Sequence, residues 1–289
     1  VKDGLWHIEE DLLVPDGFSL TIPNGTTLKF AINRRLVVRG ALAISGTKER
    51  PTLLIPQDET WGGVVVLNAE RQSIIDNARI EGIRHPDNDH WGLTGAITFF
   101  QSDVEIHNSK ISNVKTEDAL NVIDGELLFV DSSVRDAISD GIDIDFGRGS
   151  LENSQFSQFG GDAIDISGSR INASDLVISG ARDKGISVGE RSVFEGNRLE
   201  IERTGIAIAS KDGSSAFVRD IRIDKIQNYA FMAYIKKPEY GASKLAVEHA
   251  STSNGRLTAL ALSPSQIRID GTEISPIDSE IARLYGVDF

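Results

Sequence analysis

Apolar and polar residues alternate in short runs along this chain, and the runs recur. From Gly63 onward a small residue is followed by an apolar one, a variable one and a second apolar one. The small residue is Gly63, Ala96, Ala119, Gly141, Ala163, Gly185, Gly205 and Ala230, at steps of 33, 23, 22, 22, 22, 20 and 25. The first apolar position runs Val64, Ile97, Leu120, Ile142, Ile164, Ile186, Ile206, Phe231. The second runs Val66, Phe99, Val122, Ile144, Ile166, Val188, Ile208, Ala233. A period of two predicts a strand with one buried face.

A second ladder keeps step with the first. It is Asn108, Asp131, Asn153, Asp175, Asn197 and Asp220, spaced 23, 22, 22, 22 and 23. Asn and Asp tolerate left-handed backbone and bond their own turn, so this ladder predicts a stacked corner. Three residues later stand Ile111, Val134, Phe156, Ile178, Glu200 and Ile223. Glu200 breaks the apolar column, which places a one-residue slip in that coil and turns Ile201 inward. A fixed period of this size predicts a solenoid whose coils bury their inner faces only by stacking. The expected fold is all-β, a parallel β-helix of about 22 residues per coil. The Leu-x-x-Leu-x-Leu pattern of leucine-rich repeats is absent, and the intervals are too short for βα units.

One domain is expected over 1–289, with opening coils at 1–60, regular coils at 61–235 and irregular closing coils at 236–289. Trp6 and His7 are expected in a cap over the open end. Asp278 to Tyr285 predicts a short C-terminal capping helix, which a solenoid needs to close its apolar end. The long step before Ala96 holds an insertion at 84–93, Arg-His-Pro-Asp-Asn-Asp-His-Trp-Gly-Leu.

Composition narrows the partners. Of 289 residues, 40% are hydrophobic and 7% aromatic, which suits a narrow aliphatic interior. The formal net charge of −13 disfavours nucleic acid and anionic membrane. There is no cysteine, so no disulfide, thiolate metal site or thiol nucleophile. No apolar run approaches the length of a membrane span. The chain begins with Val1 rather than Met, which suggests a mature or excised piece, and a monomer is expected.

The chemistry gathers in the middle coils. The position between the two apolar columns reads Val65, Thr98, Asn121, Asp143, Asp165, Ser187, Ala207, Met232. The position before the small residue reads Gly62, Gly95, Asp118, Asp140, Asp162, Lys184, Thr204, Tyr229. Asp145 and Ser167 lie on the same outer face. Carboxylates on adjacent coils, about 4.8 Å apart, repel by roughly 3 kcal/mol at an effective dielectric of 20. A bound cation, a raised pKa, or donors from Lys184, Arg182 or Asn121 would relieve this. A cation would be calcium, held by Asp140, Asp143, Asp162 and Asp165. A raised pKa would make Asp143 and Asp165 an acid/base pair, at a separation near the ~5 Å of retaining glycosidases. Lys184 would then steady developing negative charge. Asp118, Asn121, Asp140, Asp145 and Asp162 would contact substrate, with His90 and Trp91 overhanging from the insertion. Against this stands a plain alternative: Asp before Gly or Ala is a routine turn residue whose carboxylate accepts backbone N–H bonds. His85 belongs to the same exposed loop, and His107 beside the corner Asn108 is expected to be structural.

The coils Ser139-Asp-Gly-Ile-Asp-Ile-Asp-Phe146 and Gly160-Gly-Asp-Ala-Ile-Asp-Ile-Ser-Gly-Ser169 resemble those of right-handed parallel β-helix repeat proteins. That group holds pectate lyases, polygalacturonases, alginate epimerases and chondroitinases. The opening Leu36-Val-Val-Arg-Gly-Ala-Leu42, Gly46-Thr47, Trp61-Gly62-Gly63 and the closing Ala282-Arg-Leu-Tyr285 look like the β-helix regions beside CotH-type kinase-like domains in bacterial envelope proteins. The resemblance implies a right-handed helix and a periplasmic, cell-surface or secreted protein that binds or processes a polysaccharide. The enzyme would be a hydrolase, lyase or epimerase. The catalytic motifs of polygalacturonases and alginate epimerases are not present in register. The alternative is a non-catalytic structural or interaction module attached to a kinase-like or other envelope domain. A third class, a phage or surface adhesin, would trimerise.

Overall fold

Alternation puts every second side chain of a short strand on one face, and stacking parallel strands buries that face. The computed structural model describes residues 1–86, 91–253 and 257–278. Within them, eleven strands form one front sheet. In order they are Leu12–Val14, Arg35–Val38, Gly63–Leu67, Gly95–Phe100, Asp118–Ile123, Asp140–Asp145, Ile164–Ser167, Lys184–Gly189, Ile206–Lys211, Tyr229–Tyr234 and Ala259–Ala261. The other nineteen strands form a second sheet that completes each turn. There the bonded neighbours lie one turn apart, as with Val104–His107 on Glu126–Val130. The fold is a parallel β-solenoid of about eleven turns. An antiparallel pair, Gln266–Ile269 with Thr272–Ile274, breaks the parallel pattern at its far end.

One apolar core runs from Leu20 to Ile267. Its front-sheet stack is Ile97, Leu120, Ile142, Ile164, Ile186, Ile208 and Phe231, each in register with the next. This corrects the expected alignment at Gly205. Lys184 pairs with Ile206 and Ile186 with Ile208, so Ala207 takes the small-residue position. The outward column therefore continues through Ala209, not Ala207. The error has a physical cause: Ile206 and Ala209 are themselves buried, in a second apolar cluster on the outer face with Met232, Tyr234 and Leu260. With both faces apolar, alternation no longer marks which side is inside.

The Asn/Asp ladder is a corner of left-handed residues, with φ of 49° at Asn108, 51° at Asp131, 44° at Asn153 and 56° at Asp175. In the fifth coil that role falls to Arg198, φ 52°, and Ile201 is buried as the slip required. Buried serines make a further ladder at the corners. Ser154 Oγ accepts from the Ser132 amide at 3.1 Å, and Ser132 Oγ from the Ser109 amide at 3.0 Å. Trp6 and His7 lie in strand Gly4–Ile8, paired with Thr26–Phe30, rather than in a separate cap. Trp61 is fully buried and stacks on Phe30 at 4.2 Å. The expected C-terminal helix lies, apart from Asp278, outside the described residues, as does His90.

Candidate functional site

The site stands on the outer face of the front sheet. Its middle column, in register throughout, is Leu13, Val37, Val65, Thr98, Asn121, Asp143, Asp165, Ser187, Ala209, Met232 and Leu260. Side chains pointing out of a sheet are ordinarily wet. Here eight of the eleven are buried; Leu13 is exposed at the N-terminal end, and from Val37 to Leu260 only Asp143 and Asp165 reach solvent. On the N-terminal side His85 lies against the sheet, its Nε2 bonded to the Gly95 carbonyl at 3.1 Å. On the C-terminal side lies the outer apolar cluster. The two aspartates thus occupy a two-coil window, flanked on the same coils by half-buried Asp140, Asp145 and Ser167.

Two of the three acidic residues before the small position form a staircase of backbone caps. Asp140 Oδ1 accepts the Asp162 amide at 2.7 Å, and Asp162 Oδ1 accepts the Lys184 amide at 2.8 Å. Gly161 leaves the space that Asp140 Oδ1 fills. Asp118 is buried, and its Oδ2 has no hydrogen-bond partner. Burial pushes its carboxyl up to about 7, against a hydrogen bond with Thr94. Burial likewise raises Asp140, Asp145 and Asp162, the last against the opposing pull of Lys184. Lys184 is 6% exposed, with Nζ 3.4 Å from Asp162 Oδ1 and bonded also to Asp183. Its ammonium is committed to those two carboxylates.

Asp143 is the most displaced of the group. Burial, with Asp145 and Asp118 next in weight, pushes its carboxyl up to about 9, so it carries its proton at neutral pH. Its Oδ1 is buried without a partner, as is Asn121 Oδ1 on the adjacent strand. Asn121 donates to Asp145 Oδ2 at 3.1 Å. Asp165 stands in register beside Asp143 and meets a cation: Lys211 Nζ lies 3.7 Å from its Oδ1. The two carboxyls therefore face opposite electrostatic surroundings one strand apart.

The structure gathers Asp118, Asn121, Asp140, Asp143, Asp145, Asp162, Asp165 and Lys184 on one face, as their spacing predicted. It does not bring Trp91 there. The Trp91 ring lies 5.9 Å from the guanidinium of Arg35, whose strand is four strands away from Asp140–Asp145 in the front sheet. His107 bonds to Glu105, away from the site. Lys211 was missed. Anchoring the repeat on Ala207 would have placed it two strands beyond Ser167, on the column that holds Asp145.

Among the expected metal ligands, Asp140, Asp162 and Asp165 each offer an oxygen within 4.8 Å of the others, and Asp143 does not join them. Calcium takes six to eight oxygens. Here the Asp140 and Asp162 oxygens already accept amides, and two lysine ammoniums sit against the trio. This donor set does not suit a resident calcium ion.

The parallel coils and their register match a family of known proteins. The family model described as right handed beta helix region matches residues 94–274. The chain belongs to this family. None of the curated proteins matches its sequence. Among solved structures, this β-helix is similar to an alginate lyase from Paenibacillus sp. str. FPU-7. The identity is 12% and the TM-score 0.52, over 94% of this chain and 97% of that one. It is also similar to the catalytic domain of a GH87 alpha-1,3-glucanase, at 10% identity and a TM-score of 0.42, over 94% and 68%. The receptor binding domain of the siphovirus 9NA tailspike matches at 11% and 0.43, over 88% and 53%. At such identities the likeness speaks for the fold alone. No helix among the described residues is long and apolar enough to cross a membrane.

Proposed function

We propose that this β-helix binds a polysaccharide across the two-coil window and cleaves it, with Asp143 as proton donor and Asp165 as the partner carboxylate. One observation carries the reading: between Val37 and Leu260 the two solvent-reaching residues of the column are adjacent carboxyls, Asp143 desolvated among carboxyls and Asp165 beside an ammonium. Such a pair divides acid from base at one pH. Asp143 holds the proton that a leaving glycosidic oxygen needs. Asp165, with Lys211 beside it, stabilises or attacks the anomeric carbon. Strand spacing of about 4.8 Å is near the ~5 Å of the retaining geometry. Asp140 and Asp162 position the pair, half-buried Asp145 borders the bound chain with buried Asp118 and Asn121 behind it, and Lys184 and Lys211 supply the positive charge that calcium would otherwise bring. The lyase and glucanase neighbours act on polysaccharides, which supports the substrate class. The setting we propose is extracytoplasmic, with the protein acting as a monomer.

A polysaccharide array that includes alginate and α-1,3-glucan, read both for retention and for new reducing ends, tests this. The expected result is cleavage by the wild type and at least a hundredfold loss in Asp143→Asn and Asp165→Asn, with retention kept. Binding without cleavage would reduce the function to recognition.

A second reading has its own observation: Asp140 and Asp162 spend their oxygens on backbone amides. It is a non-catalytic module beside another envelope domain, such as a CotH-type kinase-like one. Neither retention nor cleavage on the array, with Asp140→Ala and Asp162→Ala strongly destabilised, would establish it.

A further inference from the structure

Five consecutive front-sheet strands end in a corner residue whose amide bonds to the strand-end carbonyl of the next coil. These corner residues are Asn68, Gln101, Asp124, Phe146 and Gly168. All have left-handed backbone, with φ of 50°, 47°, 52°, 54° and 63°. Asn, Asp and Gly suit that conformation, whereas a bulky aromatic there is a genuine outlier. Phe146 is also 64% exposed, so burial does not offset the strain. The fold sets an aromatic ring in an unfavourable conformation and leaves it facing water. Strain of that kind points to function when it lies at a site.

Phe146 lies at the site. It directly follows Asp145 and stands three residues, about 10 Å, along the strand from Asp143. Its ring lies over Gly168, where a Cβ would come within 2.7 Å of Phe146 Cδ1. The glycine supports one flat side of the ring by having no side chain of its own. Asp145 and Ser167, in register on adjacent strands, place polar groups beside it. The surroundings are carboxylates, a hydroxyl and glycine rather than a contiguous apolar patch, which a protein partner would need. A pyranose ring asks for one flat apolar platform with acceptors at its rim.

We propose that Phe146 is a sugar-stacking platform, holding a pyranose residue of the bound polysaccharide one or two units from the bond at Asp143 and Asp165. This rests on the polysaccharide reading above. The test is titration of alginate and α-1,3-glucan oligosaccharides against wild type, Phe146→Asn and Phe146→Tyr, with thermal melting of each. Asn relieves the left-handed strain, so Phe146→Asn should melt about 2–4 °C higher while binding about tenfold more weakly. Phe146→Tyr should bind like wild type. Wild-type binding left unchanged in Phe146→Asn overturns the platform and leaves the site's function standing. No binding of either oligosaccharide by the wild type counts against both.

Discussion

Lys211 reaches back across two coils to Asp165, with Nζ 3.7 Å from Oδ1. Its stem lies over Gly189, where a Cβ would come within 2.7 Å of Lys211 Cε. The absent side chain of one residue is what lets another coil's ammonium enter the site.

Gly189→Ala should therefore behave like Lys211→Met. Both remove the cation from Asp165, and both are expected to lower cleavage at least tenfold while keeping the fold. Overpacking at Gly189 should cost about 1–3 kcal/mol, readable by urea unfolding. Cleavage by Gly189→Ala at the wild-type rate would show that the pairing is incidental.

The raised Asp143 carboxyl makes stability fall with pH. Its pKa of about 9 in the folded chain lies above the ordinary unfolded value. The folded state thus keeps a proton that the unfolded chain releases, and the stability from this group is lost as pH climbs from about 4 toward 9. Asp143→Asn removes the titration. At pH 8 it should be at least about 1 kcal/mol more stable than wild type, roughly 2–4 °C in Tm, and near parity at pH 4. A difference that does not grow with pH would refute the assignment.

Asp162 and Lys184 are both nearly buried. Asp162→Ala removes one of the two carboxylates on a buried ammonium, leaving Asp183, and uncaps the Lys184 amide, at an expected cost of about 3 kcal/mol. Asp162→Asn keeps an amide acceptor and should cost less. Equilibrium unfolding separates the two, and equal losses would mean that charge alone matters.

With Lys184 and Lys211 in place, millimolar calcium is expected to leave the wild-type Tm unchanged. A ligand bound only by the native state raises it by mass action. A rise of several degrees, lost in Asp140→Asn, would show that the trio takes a cation despite the lysines.

The period, the inward columns and the acid face were legible from spacing alone. Three coils repeat at 22 residues, and each places Asp at matched positions, as Asp140, Asp143, Asp162 and Asp165 show. Stacking is a nearest-neighbour interaction, so a strict period dictates which residues touch along the axis. The slip that turns Ile201 inward was legible for the same reason.

What sequence could not carry was everything that depends on which surfaces are covered. Ile206 and Ile208 look alike along the chain, and only the outer apolar cluster decides that Ile208 faces the core. That decision moves Lys211 onto the acid face. Covering also sets Asp143 apart from Asp165, because desolvation depends on what lies over a carboxyl rather than on its neighbours in the chain. The pattern along the chain determined the ladder of carboxyls. The burial of the positions on either side of it decided which of them meets water and which keeps a proton, and the register of the later coils decided which meets a lysine.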